Sequence, residues 1–326
     1  MRKTALITGI TGQDGSYLSE LLLVKKYKVH GFVRNNFTFQ NSKSSWRIRN
    51  FRNRITLHKV SIHDEKKIEK ILLKIKPDEI YHLAAQSYVD YFKKIKKNIT
   101  LDINFNYTKT ILHLIKKNNI KTKFFFAGSS EMYSNKTKSK ISESNHFSPS
   151  SSYGLSKLKS YKLLKSLRHN NGLHASMGIL FNHESPRKDT SFVLRKISSS
   201  VAQIKNGLRK KIKLGNVKAK RDWGHAKDFV YAMWLICQQK KPEDFIIGTG
   251  KLHSVEYFAK LAFKEVNLNY KKYLEIDKTL IRKGDSKAKI ANISKIQKKL
   301  KWKPKIKFKS LVKEMIKCDL KLYNRK

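Results

Sequence analysis

The sequence predicts an α/β fold in which a parallel sheet carries helices on both faces and a smaller lobe follows towards the C-terminus. Two observations carry this prediction. Short apolar runs of strand length alternate with segments whose apolar residues recur at helical spacing, which is typical of βαβ units. A turn with three glycines, Gly9, Gly12 and Gly15, joins the first run to the first helical segment. Together they indicate a doubly wound, Rossmann-like sheet.

The predicted elements follow one another in a regular order. A helix over residues 16–26 comes after the glycine turn, and residues 99–117 also carry apolar side chains at helical spacing. Residues 35–53 are polar and basic, and they predict a loop whose length is often functional in a compact domain. The predicted strands are Thr4–Thr8, Lys28–Val33, Ile55–Val60, Glu79–Ala84, Lys123–Ala127, His174–Phe181 and, returning late to the sheet, Phe245–Ile247.

The composition is that of a chain with a packed interior. Hydrophobic residues make up 40% of its 326 residues. No apolar stretch approaches the roughly 20 residues that span a bilayer. The two cysteines, Cys237 and Cys318, predict neither a disulfide framework nor a metal site. We therefore expect a cytoplasmic protein in a reducing compartment, with no metal and no membrane partner.

The charge is strongly unbalanced, with 72 basic against 24 acidic residues and a formal net charge of +48. One interpretation is a surface that binds nucleic acid. The other is a lysine-rich composition in which Lys occupies solvated faces. The lysines are spread along the whole chain and alternate with apolar positions, as in residues 157–165, which favours the second interpretation. A positive field would also attract a phosphorylated small molecule.

The glycine turn is the first candidate binding site. Residues 9–15 have the sequence Gly-Ile-Thr-Gly-Gln-Asp-Gly and lie directly between a strand and a helix. Glycines at this spacing let the backbone approach a pyrophosphate and aim the N–H groups of the helix start at it. Arg34 follows the second strand, where an acid would suit NAD and a basic residue suits the 2′-phosphate of NADP. The pattern favours NADP and leaves NAD open.

A second motif supplies candidate catalytic groups. Tyr153 and Lys157 are four residues apart, which places both on one face of a helix. The pKa of a phenol is about 10, and a nearby ammonium is expected to lower it enough for proton transfer. Ser129 and Glu131 follow the strand predicted at Lys123–Ala127. Ligands of open α/β sheets bind beyond such strand ends, so a hydroxyl and a carboxylate are expected beside the tyrosine.

These motifs divide the chain. Residues 1–181 are predicted to form a dinucleotide-binding, Rossmann-like domain, with a later return to it near residues 222–248. The alternation of strands and helices weakens after Phe181. Residues 182–326 are therefore predicted to form mainly a smaller, substrate-binding lobe.

Together these residues resemble the extended short-chain dehydrogenase/reductases and, among them, the GDP-mannose 4,6-dehydratases. The resemblance covers nearly the whole chain, from residues 5–18 and 83–87 to 242–245 and 302–305. Its most specific strings are Asn-His-Glu-Ser-Pro-Arg at the end of residues 178–187 and Arg-Asp-Trp-Gly-His-Ala-Lys-Asp at 221–228. The glycine turn is far less specific.

The resemblance implies a redox-neutral dehydration of GDP-mannose to GDP-4-keto-6-deoxy-mannose. Tyr153 would take the C4 hydroxyl proton while a hydride passes to NADP⁺. Glu131 would then remove the C5 proton as water leaves C6, and the hydride would return to C6. Lys157 would orient the nicotinamide ribose and tune Tyr153, and Ser129 would stand where the family usually has a threonine.

The resemblance also implies the binding residues. A GDP-sugar would contact Asn182, Lys196, Arg221 and Arg282, since basic groups suit a diphosphate. The chain departs from the family at Asn35 (usually a second arginine), at Ser61 (usually an aspartate) and at Lys283 (usually a proline). The cofactor would contact Gly9, Thr11, Gly12, Gln13, Asp14, Gly15, Arg34, Leu83, Ala84, Ala85, Ser87, Tyr153, Lys157, His183 and Arg187.

Two alternatives stay open at this point. One is another nucleotide-sugar epimerase or dehydratase, and Glu131 discriminates, because epimerisation at C4 needs no base at C5. The other is a catalytically silent, basic nucleotide- or nucleic-acid-binding protein, which the net charge motivates. The resemblance further implies a homodimer or homotetramer in which residues 35–53 meet a neighbouring subunit.

Overall fold

A parallel seven-stranded sheet forms the centre of the molecule. The structure, a computed structural model, describes residues 2–87, 97–134, 140–281 and 288–324. With strands and helices numbered in chain order, the sheet contains, from edge to edge, β11 (Phe245–Ile247), β7 (Ala175–Leu180), β5 (Lys123–Ser129), β4 (Glu79–His82), β1 (Thr4–Thr8), β2 (Lys28–Val33) and β3 (Ile55–Lys59).

Helices cover both faces of this sheet because successive strand side chains point to opposite sides. Ile7 of β1 belongs to a core with α1 and α7, whereas Leu6 belongs to a core with α2, α4 and α5. The helices are α1 (Gln13–Val24), α2 (Glu65–Ile75), α3 (Lys97–Leu101), α4 (Tyr107–Lys117), α5 (Ser152–Asn171), α6 (Val193–Lys205), α7 (Ala226–Gln238), α8 (Val255–Lys264), α9 (Tyr270–Tyr273), α10 (Ser294–Leu300) and α11 (Phe308–Tyr323).

The predicted α/β class and the doubly wound parallel sheet are confirmed. The bounds of β1, β2 and β11 are as predicted, whereas α1 begins at Gln13, three residues earlier than the predicted helix start, because the glycine turn leads straight into it. The helical spacing predicted over residues 99–117 corresponds to two α-helices with one interruption. A π-helical turn, Asp102–Asn106, separates α3 from α4. The long loop after β2 contains a 3₁₀ segment, Ser45–Arg54.

A third hydrophobic core lies beyond the sheet. Leu194 of α6, Phe258 of α8 and Met315 of α11 are fully buried in it. A buried ion pair between Arg195 and Asp319 ties α6 to α11. The smaller sheets of the molecule are built from β8 (Asn182–Glu184), β10 (Lys220–His225) and β12 (Leu252–Ser254), from β9 (Ile212–Leu214) and β13 (Leu274–Ile276), and from β6 (Lys140–Ile141) and β14 (Ile290–Ala291).

Both cysteines are free, Cys237 in the core and Cys318 at the surface. Among the described helices, none combines the length and the apolar character that crossing a membrane requires.

Candidate active site

A cavity of about 1080 Å³ opens at the carboxyl ends of the central strands. This is the edge at which open α/β sheets bind ligands. Every residue that the sequence assigned to catalysis or to the cofactor lines it, and so does Asn182. Lys196 and Arg221 are not among the described residues that line it. Arg282 lies outside the described residues.

The glycine turn forms the floor at one end of the cavity. Gly9 has φ +74, and a Cβ there would lie 3.0 Å from the Ala84 backbone. A Cβ on Gly15 would lie 2.3 Å from the Gly9 carbonyl oxygen, so the turn closes only with glycine there. No described side chain caps the start of α1 at Gly12. The open N–H groups of this helix start suit the diphosphate of a dinucleotide.

Asp14 and His183 fasten this helix start to β8. His183 Nε2 lies 2.8 Å from Asp14 Oδ2, and its Nδ1 lies 2.8 Å from the carbonyl oxygen of Phe181. Burial alone would raise the pKa of Asp14, but His183, together with smaller contributions from Lys188 and Gln13, holds that pKa below its ordinary value. The link brings the Asn-His-Glu-Ser-Pro-Arg string against the glycine turn.

Arginines surround the same end of the cavity. Arg34, at the end of β2, lines it beside Asn35 and Ser61. Arg187 lines it too, but its guanidinium donates to Glu20 Oε1 at 2.7 Å and to Ser16 Oγ at 3.2 Å. Sequence reasoning missed Arg47, which donates to the carbonyl oxygens of Arg187 at 2.7 Å and Thr11 at 3.3 Å. Its place in the polar loop gave no local signal.

The catalytic end is built where β5 stops and α5 begins. Ser129 ends β5, and its Oγ accepts from the Glu131 N–H at 3.2 Å in a 3₁₀ turn. The Ser151 side chain caps α5 by accepting from the Gly154 N–H at 3.0 Å. A Cβ on Gly154 would lie 2.2 Å from the Glu131 carbonyl oxygen, so glycine lets the helix touch the turn. This contact brings Tyr153 beside Ser129 and Glu131.

Burial dominates the electrostatics of the Tyr153–Lys157 pair. It raises the pKa of Tyr153 to about 12, against a hydrogen bond from Ser129 that lowers it. It lowers the pKa of Lys157 to about 7. The expectation that the ammonium lowers the tyrosine pKa below its usual value was wrong for this structure. Lys157 Nζ lies 4.9 Å from the Phe126 ring centre and 5.8 Å from the Tyr153 ring centre, so the amine lies beside two aromatic rings.

Asn104 is a second residue that sequence reasoning missed. It lies in the π-helical turn, and its Nδ2 donates to Ser156 Oγ at 3.1 Å and to the Gln86 carbonyl oxygen at 3.2 Å. Its Oδ1 accepts from the Gln86 N–H at 2.8 Å. It thereby joins α5 to the loop after β4. The π turn that aims it inward is invisible to helical periodicity.

Lys289 is a third missed residue. It is 4% exposed, and its Nζ donates to the carbonyl oxygens of Ser130 and Tyr133, each at 3.1 Å. The same Nζ lies 3.5 Å from Glu131 Oε1. Burial lowers the pKa of Lys289, the Glu131 carboxylate opposes this, and the charge of Arg221 adds to the lowering. Arg221 therefore lies near enough to act electrostatically on this end of the site.

Comparison with known proteins agrees with the geometry. The family model for GDP-mannose 4,6 dehydratase matches residues 6–315. The chain is similar to GDP-mannose 4,6 dehydratase 1 of Arabidopsis thaliana, with 42% identity over 99% of this chain and 91% of the relative. It is 36% identical to GDP-mannose 4,6-dehydratase of Vibrio cholerae, over 100% of this chain and 96% of that one.

A solved structure supports the fold. UDP-glucose 4-epimerase of Thermotoga maritima, determined with UDP-glucose, has a TM-score of 0.85 and 24% identity, over 98% of this chain and 99% of that chain. At this identity, the likeness bears on the arrangement of strands and helices and leaves the chemistry to the site itself.

Proposed function

The chain belongs to the GDP-mannose 4,6-dehydratase family, and we propose that Ser129, Glu131, Tyr153 and Lys157 carry out the family's reaction in it. The enzyme is a hydro-lyase that uses NADP and converts GDP-mannose to GDP-4-keto-6-deoxy-mannose. One observation carries the assignment of residues: the contact of Gly154 with the Glu131 turn puts a hydroxyl, a carboxylate and a phenol on one wall of the cavity.

The residues of the cavity fit NADP. The uncapped start of α1 and the glycine turn would hold its diphosphate, Arg34 its 2′-phosphate and Lys157 its nicotinamide ribose. Leu83, Ala84, Ala85, Ser87 and His183 would line the rest of its path. When bound, NADP accepts a hydride from the sugar and later returns it.

The chain's own groups move the protons. Tyr153 takes the proton of the C4 hydroxyl. The hydrogen bond from Ser129 aligns the phenol and favours the phenolate that this step needs, against the burial that raises its pKa. The C4 ketone acidifies the C5 hydrogen. Glu131 removes that proton and passes it to the C6 hydroxyl, which leaves as water. C5 takes up a proton again when the hydride returns to C6. Tyr153 thus acts on the C4 hydroxyl and Glu131 on C5. Because these two carbons are neighbours, both groups must lie on one wall of the cavity.

Substitution of Glu131 tests this division. Glu131→Gln should lower formation of the 4-keto product by about 10²–10⁴-fold, because a positioned base contributes that much. The product is followed by mass as the loss of one water from the sugar nucleotide. Glu65→Gln, an exposed acid at the start of α2, is the matched control and should be unchanged. Full formation of the dehydrated product by Glu131→Gln would reject Glu131 as the base. A wild-type product of unchanged mass would instead favour an epimerase.

The remaining assignments concern the substrate and the assembly. We propose that residues 182–326 form mainly the substrate lobe and that Asn182, Lys196, Arg221 and Arg282 bind the GDP-sugar. A homodimer or homotetramer in the cytoplasm, with residues 35–53 at a subunit contact, completes the proposal. Light scattering at micromolar concentration tests the assembly, and a monomer would contradict it.

A further inference from the structure

We propose that Lys289 is a positioning residue for Glu131, one that fixes both the turn and the carboxylate of the base for the elimination step. The inference rests on the role proposed above for Glu131. Lys289 immediately precedes β14, far along the chain from the catalytic motifs. Lys289 is not among the described residues that line the cavity, so any effect that it has on the substrate is exerted through Glu131.

The contacts of Lys289 enclose the turn that carries the base. Its Nζ donates at 3.1 Å to the carbonyl of Ser130, just before Glu131, and at 3.1 Å to the carbonyl of Tyr133, two residues after it. The carboxylate of Glu131 itself lies 3.5 Å away. One ammonium thus holds the backbone on both sides of the base and the charged end of its side chain.

Burial makes this arrangement specific. Lys289 is 4% exposed, and its side chain could not remain charged there without partners. Two carbonyls and one carboxylate supply them. A lysine that only packed against the core would not need three oxygen atoms around its Nζ, and a surface lysine would gain little from them.

The segment that carries Lys289 is itself held in place. The carboxylate of Asp222 accepts from the N–H groups of Ala291 at 3.1 Å, Thr249 at 2.8 Å and Gly250 at 2.8 Å. A Cβ on Gly248 would lie 2.4 Å from the Ala291 Cβ, so β14 packs too closely to slide. The position of the ammonium is therefore fixed from behind, independently of the cavity.

Elimination depends on such placement. A base that removes a proton from carbon must meet it at a defined position, and a displacement of about 1 Å can cost about 10²-fold in rate. The oxidation at C4 relies on Tyr153, whose described hydrogen bond is to Ser129. Loss of the Lys289 ammonium should therefore slow the second chemical step and spare the first.

Three variants of the holoenzyme test this. Lys289→Met removes the charge and the donors, and Lys289→Arg keeps a cation. Lys123→Met is the matched control, because Lys123 Nζ also donates to two carbonyls, of Gln238 at 3.2 Å and Gln239 at 2.9 Å, at the opposite end of β5. Single turnovers with GDP-mannose are followed by the fluorescence of reduced nicotinamide, which rises with C4 oxidation and falls after elimination.

In Lys289→Met we expect the nicotinamide fluorescence to rise at the wild-type rate and to fall about 10–100-fold more slowly than in wild type. The KM for GDP-mannose should stay within twofold of the wild-type value. Lys289→Arg should recover most of the fall, and Lys123→Met should match wild type. An unchanged fall in Lys289→Met would overturn the proposal, as would equal slowing of both phases. If Lys289→Met does not fold, Lys289→Gln, which keeps a donor for the carbonyls, carries the same test.

The role of Glu131 is separated from that of Lys289 by combining them. If Glu131→Gln alone retains full turnover, the proposed function of Glu131 fails and the inference falls with it. If Glu131→Gln is inactive and Lys289→Met behaves as wild type, only the role of Lys289 fails. If the proposed roles of Glu131 and Lys289 are both correct, the double variant Glu131→Gln/Lys289→Met should eliminate water at the same residual rate as Glu131→Gln alone.

Discussion

The two ends of the cavity differ in what forms them: closely packed backbone at one end and titratable side chains at the other. At the cofactor end, the turn around Gly9 and Gly15 is backbone packed on backbone, and a Cβ on Gly15 would lie 2.3 Å from the Gly9 carbonyl oxygen. At the catalytic end, Tyr153 and Lys157 are titratable side chains whose pKa values burial shifts to about 12 and about 7. At the first end, the same glycines are needed for the turn to pack and for the proposed binding of the cofactor. At the second, the proposed function requires buried or half-buried titratable groups, and burying them lowers the stability of the fold.

The largest expected effect is at the catalytic end. Lys157→Met should lower activity by about 10²–10⁴-fold and yet raise the free energy of unfolding at pH 7. Burial lowers the pKa of Lys157 to about 7 from an ordinary value of 10.5. Because each unit corresponds to about 1.4 kcal/mol, the gain should be on the order of a few kcal/mol.

The pH dependence of this gain has a defined sign. Below the folded-state pKa of about 7 the lysine is charged in both states, so the burial penalty is fully present. Between that pH and 10.5 the folded lysine is neutral while the unfolded one is protonated, so wild-type stability rises and the advantage of Lys157→Met shrinks. Urea unfolding from pH 6 to 10 measures this. Lys165→Met, an exposed position on α5, is the control, and a pH-independent gain would contradict the account.

The next effect is at the cofactor end and has the opposite sign in stability. Gly15→Ala should lower the free energy of unfolding by about 1–3 kcal/mol through overpacking and weaken NADP binding by more than about tenfold. Its Cβ would also meet Ile10 Cα at 2.7 Å. Gly12→Ala is the milder partner, because its Cβ would lie 3.1 Å from the Gly9 carbonyl oxygen. Equal losses in both variants would refute the backbone argument.

Arg34 gives a smaller effect, on cofactor choice alone. Arg34→Ala should weaken NADP binding by about 10–100-fold, as expected for a charge-assisted hydrogen bond, and leave NAD binding unchanged. Arg49→Ala removes one charge from the exposed part of the neighbouring loop and serves as control. Equal weakening for the two cofactors, measured by calorimetry, would mean that Arg34 does not contact the 2′-phosphate.

The contrast between the two ends also explains what the sequence could predict. The glycine turn and the Tyr153–Lys157 spacing are local patterns whose geometry follows from one strand or one helix. The strands β1, β2 and β11 are short apolar runs with polar or turn residues beside them, and their bounds are as predicted. Local chemistry was sufficient for these features.

The missed residues share a different origin. Lys289 reaches Ser130 across 159 positions of sequence, and Asn104 reaches Ser156 across 52. No periodicity connects such pairs, because they meet only when separate elements pack. The predicted direction of the Tyr153 pKa shift was wrong for the same reason. The spacing shows that the lysine is near, whereas only packing shows that Lys157 is buried and Tyr153 is half-buried.

The smallest effect is expected in the proposed substrate lobe. This region extends the comparison to a surface without tightly packed backbone or buried charge. Lys196 Nζ already donates to the Lys213 carbonyl oxygen at 2.9 Å in an exposed position, so Lys196→Ala should raise KM for GDP-mannose by no more than about threefold. Arg221 is proposed above to bind the diphosphate of the GDP-sugar through its guanidinium, so Arg221→Ala should raise KM more, by about tenfold. Steady-state kinetics at fixed ionic strength measures both. If Lys196→Ala raised KM more than Arg221→Ala, the diphosphate would lie nearer to α6 than to Arg221, and the expected order of the two effects would be wrong.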